Sequence, residues 1–352
     1  MKKAGFLLVP ALLVGYFAFW PVPIEPVPWQ PGAMPGLEGV YAPNAYLAGV
    51  ERLDLPGGAG PEDVAVDTLG RLYAGLQDGR IVRSAPDGSG FETIADTEGR
   101  PLGLDFDAEG RLYIADAARG LMVMATDGHL SVLSTEADGR PFKFADDVDI
   151  GADGTVYFSD ASDRFSIEDY LLAIIENRPN GRLLAFDPAS GVTRVLLDSL
   201  HFANGVAVSP DQAYVLVNET SRYRVRRYWI AGPDSGRSDV FLDNLPAFPD
   251  GVSSDPGGLF WVAMVAPRDP MVDWMAPHPW LRKLLLRLPS FLRPRAKHYA
   301  FVAAYSQDGR LVHNLQDPDA EQIYTISSVE RYGDRLYLGS LEGTMVGRVD
   351  LP

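Results

Sequence analysis

The sequence is notable first for what it lacks. It contains no cysteine, which excludes disulfide staples and thiolate chemistry. Basic residues are few: 31 lysines and arginines stand against 47 aspartates and glutamates, for a formal net charge of −16. A nucleic-acid surface needs a basic footprint, so this balance argues against a nucleic-acid partner. The sequence also has no Gly-x-Ser-x-Gly elbow, no P-loop and no dinucleotide fingerprint, which argues against a serine-hydrolase triad and against nucleotide binding.

Long uncharged runs are also scarce, and the one that stands out is at the N-terminus. Residues 4–20 follow Lys2 and Lys3 and end in an aromatic cluster, as expected at a membrane interface. We predict that residues 1–20 form a single membrane-anchor helix. The positive-inside rule then places the C-terminal domain outside the cytoplasm, periplasmic or extracellular, in a single-pass topology. A cleaved signal peptide is the alternative.

The stretch after the apolar run is rich in proline, which stiffens a chain into an extended spacer. We therefore predict a linker over residues 21–45 and one folded domain over residues 46–352.

One short phrase recurs six times in that domain: an opening residue, an apolar–x–apolar step, a turn and an aromatic-bearing strand. Period-2 apolar runs around such turns indicate hairpins, and repeated all-β units indicate a propeller or solenoid. The sequence thus predicts an all-β fold, a six-bladed β-propeller. The copies begin at Glu62, Leu102, Asp146, Asn204, Asp250 and Ser327.

The opening residues hold equivalent positions, so in a propeller all six should point to the central channel. Four carry a carboxylate or amide oxygen: Glu62, Asp146, Asn204 and Asp250. Hard oxygen ligands favour Ca²⁺ over Zn²⁺, and Mg²⁺ ranks second because it usually keeps its waters. A bound cation would polarise a carbonyl, which suits hydrolysis of a small-molecule ester or lactone. The alternative is a structural cation in a propeller that only binds a ligand or partner.

Two segments interrupt the repeat, and both have helical character. The apolar residues of 165–177 fall at helical spacing, which predicts a short helix or an elongated loop over one face; packing between strands is the alternative. Between the fifth and sixth copies, residues 278–298 carry six basic residues and no acid, with an apolar side. We predict a basic helical insertion, either a helix lying on the membrane or a lid over the channel.

Several phrases together resemble the strictosidine-synthase-like propellers, and within them the adipocyte plasma membrane-associated protein branch. The wider clan includes paraoxonases and gluconolactonase-type lactonases. The resemblance implies a six-bladed propeller, a central calcium ion and arylesterase-like hydrolysis. The phrases are Phe144-Ala145-Asp146-Asp147-Val148, Phe202-Ala203-Asn204-Gly205-Val206, Phe248-Pro249-Asp250 and His278-Pro279-Trp280.

The resemblance also assigns roles to residues. The clan's metal ligands correspond to Glu62, Asp146, Asn204 and Asp250, although the clan usually has asparagine where this chain has Asp146. A second calcium ion, known in paraoxonases, would use Asp63 and Asp147.

Two departures narrow the expected activity. The paraoxonase catalytic histidine corresponds to Leu102, and the condensing enzyme's catalytic glutamate falls near Ser327. Neither of those mechanisms is therefore supported, and Leu102 and Ser327 are predicted to be pocket residues. Metal-centred hydrolysis remains, with Asp250 as both metal ligand and catalytic base.

Overall fold

The structure is a computed structural model that describes residues 15–17 and 19–352. Six four-stranded antiparallel sheets are arranged as the blades of a propeller, which confirms the predicted fold. The innermost strand of each blade begins within three residues of the opening residue of one copy of the repeated phrase. The strands are short, and many of the turns that join them are built on aspartate and glycine. In the turn at Asp67–Gly70, for example, Gly70 adopts a φ of 79°.

The strands are as follows. The N-terminal strand is β1 (Glu51–Asp54). Blade one is β2 (Val64–Val66), β3 (Leu72–Gly75), β4 (Arg80–Arg83) and β5 (Glu92–Asp96). Blade two is β6 (Pro101–Phe106), β7 (Leu112–Asp116), β8 (Gly120–Met124) and β9 (Leu130–Ser134), followed by the small ladder β10 (Glu136–Ala137) and β11 (Arg140–Pro141). Blade three is β12 (Ala145–Ile150), β13 (Val156–Asp160), β14 (Gly181–Asp187) and β15 (Val192–Leu200).

The second half repeats this order. Blade four is β16 (Ala203–Val208), β17 (Tyr214–Glu219), β18 (Arg224–Trp229) and β19 (Ser238–Leu242). Blade five is β20 (Ala247–Ser254), β21 (Leu259–Pro267), β22 (Ala300–Ser306) and β23 (Leu311–Asp317). Blade six is β24 (Ile326–Tyr332), β25 (Arg335–Ser340) and β26 (Met345–Asp350), completed by β1.

The ring is closed by the two ends of the domain. Strand β1 pairs antiparallel with β26, with Glu51 opposite Arg348. The Arg348 guanidinium donates to Glu51 Oε2 from Nε at 2.9 Å and from Nη2 at 2.7 Å. Because the N-terminal strand supplies the outer edge of the last blade, the blades form a closed ring.

Helices lie at one end of the ring. The connection from β13 to β14 contains α1 (Tyr170–Glu176), as predicted for residues 165–177. The connection from β21 to β22 contains α2 (Pro270–Met275) and α3 (Pro279–Arg287). Asp269 caps α2 by accepting from the backbone N–H groups of Met271 and Val272. Short 3₁₀ helices occupy Gly39–Tyr41, Tyr46–Gly49, Ile167–Asp169, Thr220–Arg222 and Ser290–Leu292.

The proline-rich segment packs against this end of the ring. Ile24 is buried, the Val27 N–H donates to the Glu176 carbonyl at 3.4 Å, and the Trp29 N–H donates to the Ala276 carbonyl at 3.3 Å. Residues 21–37, within the predicted linker, thus form a strap that joins the ends of α1 and α2.

The predicted anchor over residues 1–20 lies mostly outside the described residues. Within the described part of the chain, no helix has the length and apolar character needed to cross a bilayer.

Candidate functional site

A β-bulge re-aims the side chain at most of the opening positions. In blade three, Ala145 pairs with Asp160 and Val148 with Phe158, so Asp146 and Asp147 share one opposing residue. The same shift falls on Asn204, Asp250 and Ser327. A bulge leaves one residue out of the ladder and turns its side chain. In these four blades, the bulge therefore turns the opening side chain out of the regular alternation of the strand.

Four of the predicted site residues meet in one cavity. Glu62, Asp146, Asn204 and Asp250 all line a cavity of about 630 Å³ at the helical end of the ring. The Asn204 amide Nδ2 donates to Asp250 Oδ1. This hydrogen bond fixes the Asp250 carboxylate and leaves the Asn204 carbonyl oxygen free to face a ligand.

Burial and mutual repulsion shape the charges of this group. Burial raises the pKa of Asp146 well above its ordinary value, and the carboxylates of Glu62 and Asp250 raise it further. Burial and Glu62 likewise raise the pKa of Asp250, which the Asn204 hydrogen bond partly offsets. Without a positive charge among them, these carboxylates do not ionise together at ordinary cost.

Arg100 is a functional candidate that the sequence analysis missed. Its Nη2 donates to Glu62 Oε2 at 3.2 Å and its Nη1 donates to the Gly60 carbonyl at 2.9 Å. Burial raises the pKa of Glu62, and the Arg100 charge opposes that rise. The available signal was position: Arg100 lies two residues before the second opening residue, Leu102.

The donor chemistry of the site fits a hard divalent cation. Asp146 Oδ2 is buried with no hydrogen-bond partner among the described residues, so one carboxylate oxygen has neither solvent nor a donor. Arg100 balances only one of three carboxylates. In the conformation described for residues 15–17 and 19–352, no three carboxylate or histidine side chains converge tightly enough to hold an ion by themselves. An ion at this position would therefore draw the carboxylates together and take the Asn204 oxygen as a further ligand.

Leu102 and Ser327, which the sequence analysis expected to be pocket residues, are not among the side chains that line this cavity. Leu102 is 1% exposed and packs in a cluster with Ile24 and Phe144. The Ser327 hydroxyl donates to the Glu62 carbonyl at 2.7 Å. Both residues therefore support the site from outside the cavity: Leu102 under the strap and Ser327 beneath Glu62.

Asp63 and Asp147, the predicted pair for a second calcium ion, bridge neighbouring blades. Asp63 Oδ2 accepts from the Leu104 N–H at 2.9 Å, and Asp147 Oδ2 accepts from the Val206 N–H at 2.7 Å. These bonds tie blade one to blade two and blade three to blade four. In this structure both carboxylates accept backbone N–H groups of the neighbouring blade. A second ion at Asp63 and Asp147 stays a prediction.

The rest of the cavity wall is mostly apolar. Its polar members include the basic side chains Arg282, Arg293, Arg295 and Lys297. Thr325 also lines it: its φ of 46° is unusual for a β-branched residue, and its buried hydroxyl has no partner among the described residues. The wall suits a ligand with a large apolar part, held above the carboxylate group. It includes Trp29, Phe144, Tyr170, Leu172, Phe202, Tyr223, Phe248, Met275 and Leu286.

Known proteins resemble this chain in sequence. The sequence profile described as "Strictosidine synthase" matches residues 146–233, and that of "Strictosidine synthase-like, N-terminal" matches residues 39–84. Protein STRICTOSIDINE SYNTHASE-LIKE 10 of Arabidopsis thaliana is 36% identical over 349 residues, covering 89% of this chain and 92% of the relative. Adipocyte plasma membrane-associated protein of Bos taurus is 34% identical over 374 residues, covering 100% of this chain and 90% of the relative.

Solved structures share the fold at lower identity. A gluconolactonase from Xanthomonas campestris superposes with a TM-score of 0.63 at 18% identity, over 95% of this chain and 98% of the other. The calcium-binding protein regucalcin from Agrobacterium tumefaciens superposes with a TM-score of 0.58 at 14% identity, over 84% and 94%. The long matches to the plant and animal relatives carry the assignment: this chain belongs to the strictosidine synthase-like family of six-bladed propellers.

Proposed function

We propose that the protein is a divalent-cation-dependent hydrolase of esters or lactones, with Ca²⁺ as the preferred ion. The observation that carries this proposal is the pairing of an apolar cavity with a floor of three carboxylates and one amide, in which Asp146 Oδ2 has no partner among the described residues. Oxygen-only donors favour Ca²⁺ over Zn²⁺. Two propellers with this fold, one described as a gluconolactonase and one as the calcium-binding protein regucalcin, are consistent with it.

The ion would be held by Glu62, Asp146, Asn204 and Asp250. When bound, it supplies Lewis-acid polarisation of a carbonyl and stabilisation of the oxyanion that follows attack. In this proposal Asp250 also serves as the general base that accepts a proton from water. The Asn204 amide orients that carboxylate, and the Arg100 charge beside Glu62 opposes the rise in the pKa of Glu62 that burial causes. The apolar wall holds the non-reacting part of the substrate and limits access of bulk water.

The membrane anchor belongs to the same proposal. Lys2 and Lys3 precede an uncharged apolar run, and several curated relatives are named plasma membrane-associated proteins. We therefore place the propeller on the extracytoplasmic side, held by residues 1–20. The full chain is expected to stay with membranes after a carbonate wash. A soluble product shortened by about twenty residues, the length of a signal segment, would contradict this topology.

The hydrolase proposal is tested by an activity screen. Purified full chain is assayed on a panel of aryl esters and lactones in chelator, and again after addition of Ca²⁺, Mg²⁺ or Zn²⁺. We expect turnover only with a divalent cation, most with Ca²⁺, and a parallel rise in melting temperature because the ion binds only the folded state. A rise in melting temperature with no turnover on any substrate would favour a non-catalytic, ligand-binding propeller with a structural ion. No response to any ion would reject the site.

A further inference from the structure

The helical insertion has an inner face and an outer face with different chemistry. On the inner face, Leu281, Arg282 and Leu285 of α3 are buried, and Leu285 lines the cavity. On the outer face, Trp280 is 63% exposed and Phe291 is 74% exposed. The insertion is therefore a lid over the cavity, and its outer side presents large apolar groups that nothing in the described chain covers.

These groups belong to a larger set at the same end of the ring. Every exposed tryptophan or phenylalanine of the described residues lies either in the connection from β21 to β22, which contains α2 and α3, or in the N-terminal segment that contacts it. A patch of this kind is unusual on a protein surface and marks a place of contact. We define the mouth surface as the exposed side chains Leu171, Met271, Trp274, Trp280, Phe291 and Leu292.

The charge around the mouth surface is opposite to that of the whole molecule. Residues 278–298 carry six basic residues and no acid, in a chain of net charge −16. Arg295 and Lys297 are exposed. Two acids of the same connection have partners in the fold, Asp269 as the cap of α2 and Asp273 in an ion pair with Arg268 at 2.6 Å. Glu168, Asp169 and Glu342 are exposed at this end of the ring, and the basic residues outnumber them. Anionic lipid headgroups would thus attract this end of the protein and repel the acidic rest of the molecule.

The N-terminal segment reaches the same place. Arg287, at the end of α3, donates from Nε to the Trp20 carbonyl at 2.7 Å and from Nη1 to the Phe17 carbonyl at 3.0 Å. The Tyr16 hydroxyl donates to the Arg287 carbonyl at 3.2 Å. The apolar N-terminal run therefore ends against the lid, so whatever surface that run enters is also next to the mouth surface.

We propose that the mouth surface docks onto a lipid bilayer with anionic headgroups, so that the cavity opens toward the membrane. Tryptophans with flanking basic residues are the side chains that settle at a bilayer interface. A ligand would then enter the cavity from the membrane interface, which suits its apolar wall. Resting on the proposed function, the substrates would be lipophilic esters or lactones that partition into the bilayer.

The absence of native cysteine allows a direct test. Single substitutions Trp280→Cys and Phe291→Cys give one labelling position each for an environment-sensitive fluorophore. Leu69→Cys and Val192→Cys are the matched controls, because both residues are exposed at the opposite end of the blades, Leu69 in the turn between β2 and β3 and Val192 at the start of β15. All four sites are on the surface, so each variant is expected to keep the parent melting temperature.

The labelled full-length chains are reconstituted into vesicles of phosphatidylcholine with and without phosphatidylglycerol. We expect a nitroxide attached near the lipid headgroup to quench labels at positions 280 and 291 and to leave labels at 69 and 192 unaffected. Quenching should increase with phosphatidylglycerol, and Arg295→Glu should reverse that increase. These readouts do not require turnover, so they separate this inference from the hydrolase proposal.

Two outcomes would overturn the inference. In membrane-bound protein, labels at positions 280 and 291 that remain open to aqueous iodide would show that the mouth faces away from the bilayer. Shielding of the same labels in detergent without lipid, increasing with protein concentration, would show that a second copy of the chain covers this surface.

Discussion

The guanidinium of Arg100 lies against the Glu62 carboxylate, with Nη2 3.2 Å from Oε2, and both side chains are almost entirely buried. This cation is the positive charge that the structure places at the carboxylate floor of the cavity. Its charge opposes the rise in the pKa of Glu62 that burial causes.

The first prediction concerns that ion pair. Arg100→Gln should lower the free energy of unfolding in chelator by about 3–5 kcal/mol, because removal of one partner leaves an unbalanced buried charge. Added Ca²⁺ should recover part of the loss, since an ion beside Glu62 supplies charge of the same sign. Urea unfolding with and without Ca²⁺ measures both values, and Arg71→Gln, at a more exposed ion pair, is the control. If the free energy of unfolding fell by the same amount with and without Ca²⁺, Arg100 would not be coupled to the cation site.

The second prediction concerns Asp250 in catalysis. Asp250→Asn keeps the side-chain shape but removes the proton acceptor, so turnover of the best aryl ester should fall by ~10²–10⁴-fold at saturating Ca²⁺. Ion occupancy is checked separately by calorimetric titration. Asp334→Asn removes one exposed charge elsewhere and should leave turnover unchanged. Parent-level activity in an ion-loaded Asp250→Asn variant would remove Asp250 from the catalytic role.

The third prediction concerns the buried carboxylates Asp105 and Asp149, on strands β6 and β12. Burial raises the pKa of Asp149 to about 6. Burial and the carboxylates of Asp149 and Glu330 raise the pKa of Asp105 well above its usual range. A carboxyl whose pKa is higher in the folded state holds more protons when folded, so the free energy of unfolding falls as pH rises from about 4 to beyond 6.

Asp105→Asn tests this pH dependence. It keeps the acceptor for the Phe106 N–H, 2.8 Å away in the parent, and removes one repelling charge. The variant should gain about 1–2 kcal/mol in free energy of unfolding at pH 8 and little at pH 4. Urea unfolding in chelator across that pH range measures the difference. A uniform change at every pH would mean that packing, not ionisation, is altered.

The fourth prediction concerns Leu102. Because this side chain fills a cluster beneath the strap, Leu102→Ala should cost about 2–5 kcal/mol in free energy of unfolding through the cavity it leaves. Leu69→Ala, at an exposed turn, should cost far less. A variant of parent stability that accepts larger substrates would instead return Leu102 to the pocket wall. Thermal unfolding and substrate profiling together distinguish these outcomes.

The sequence by itself determined the blade count and the opening positions. Both follow from a local repeat whose apolar period and turn residues are encoded within each few tens of residues. It also determined that Glu62, Asp146, Asn204 and Asp250 occupy equivalent positions, which a closed ring brings into one cavity. The apolar spacing of residues 165–177 predicted a short helix or an elongated loop, and the structure has the helix α1 there, at Tyr170–Glu176.

The tertiary structure decided which groups stand beside those positions. Arg100 reaches Glu62 across 38 residues, and Ser327 reaches the Glu62 carbonyl across 265. The strap covers Leu102 because Val27 and Trp29 bond to the ends of two helices far along the chain. The insertion's charge pattern allowed either a lid or a membrane helix, and its packing gives it a buried inner face and an exposed outer one. A repeat determines the strands and turns within each blade, because those depend on residues close together in the chain. Contacts between distant segments depend on how the insertions and the strap pack on the closed ring. No periodic pattern in the sequence encodes that packing.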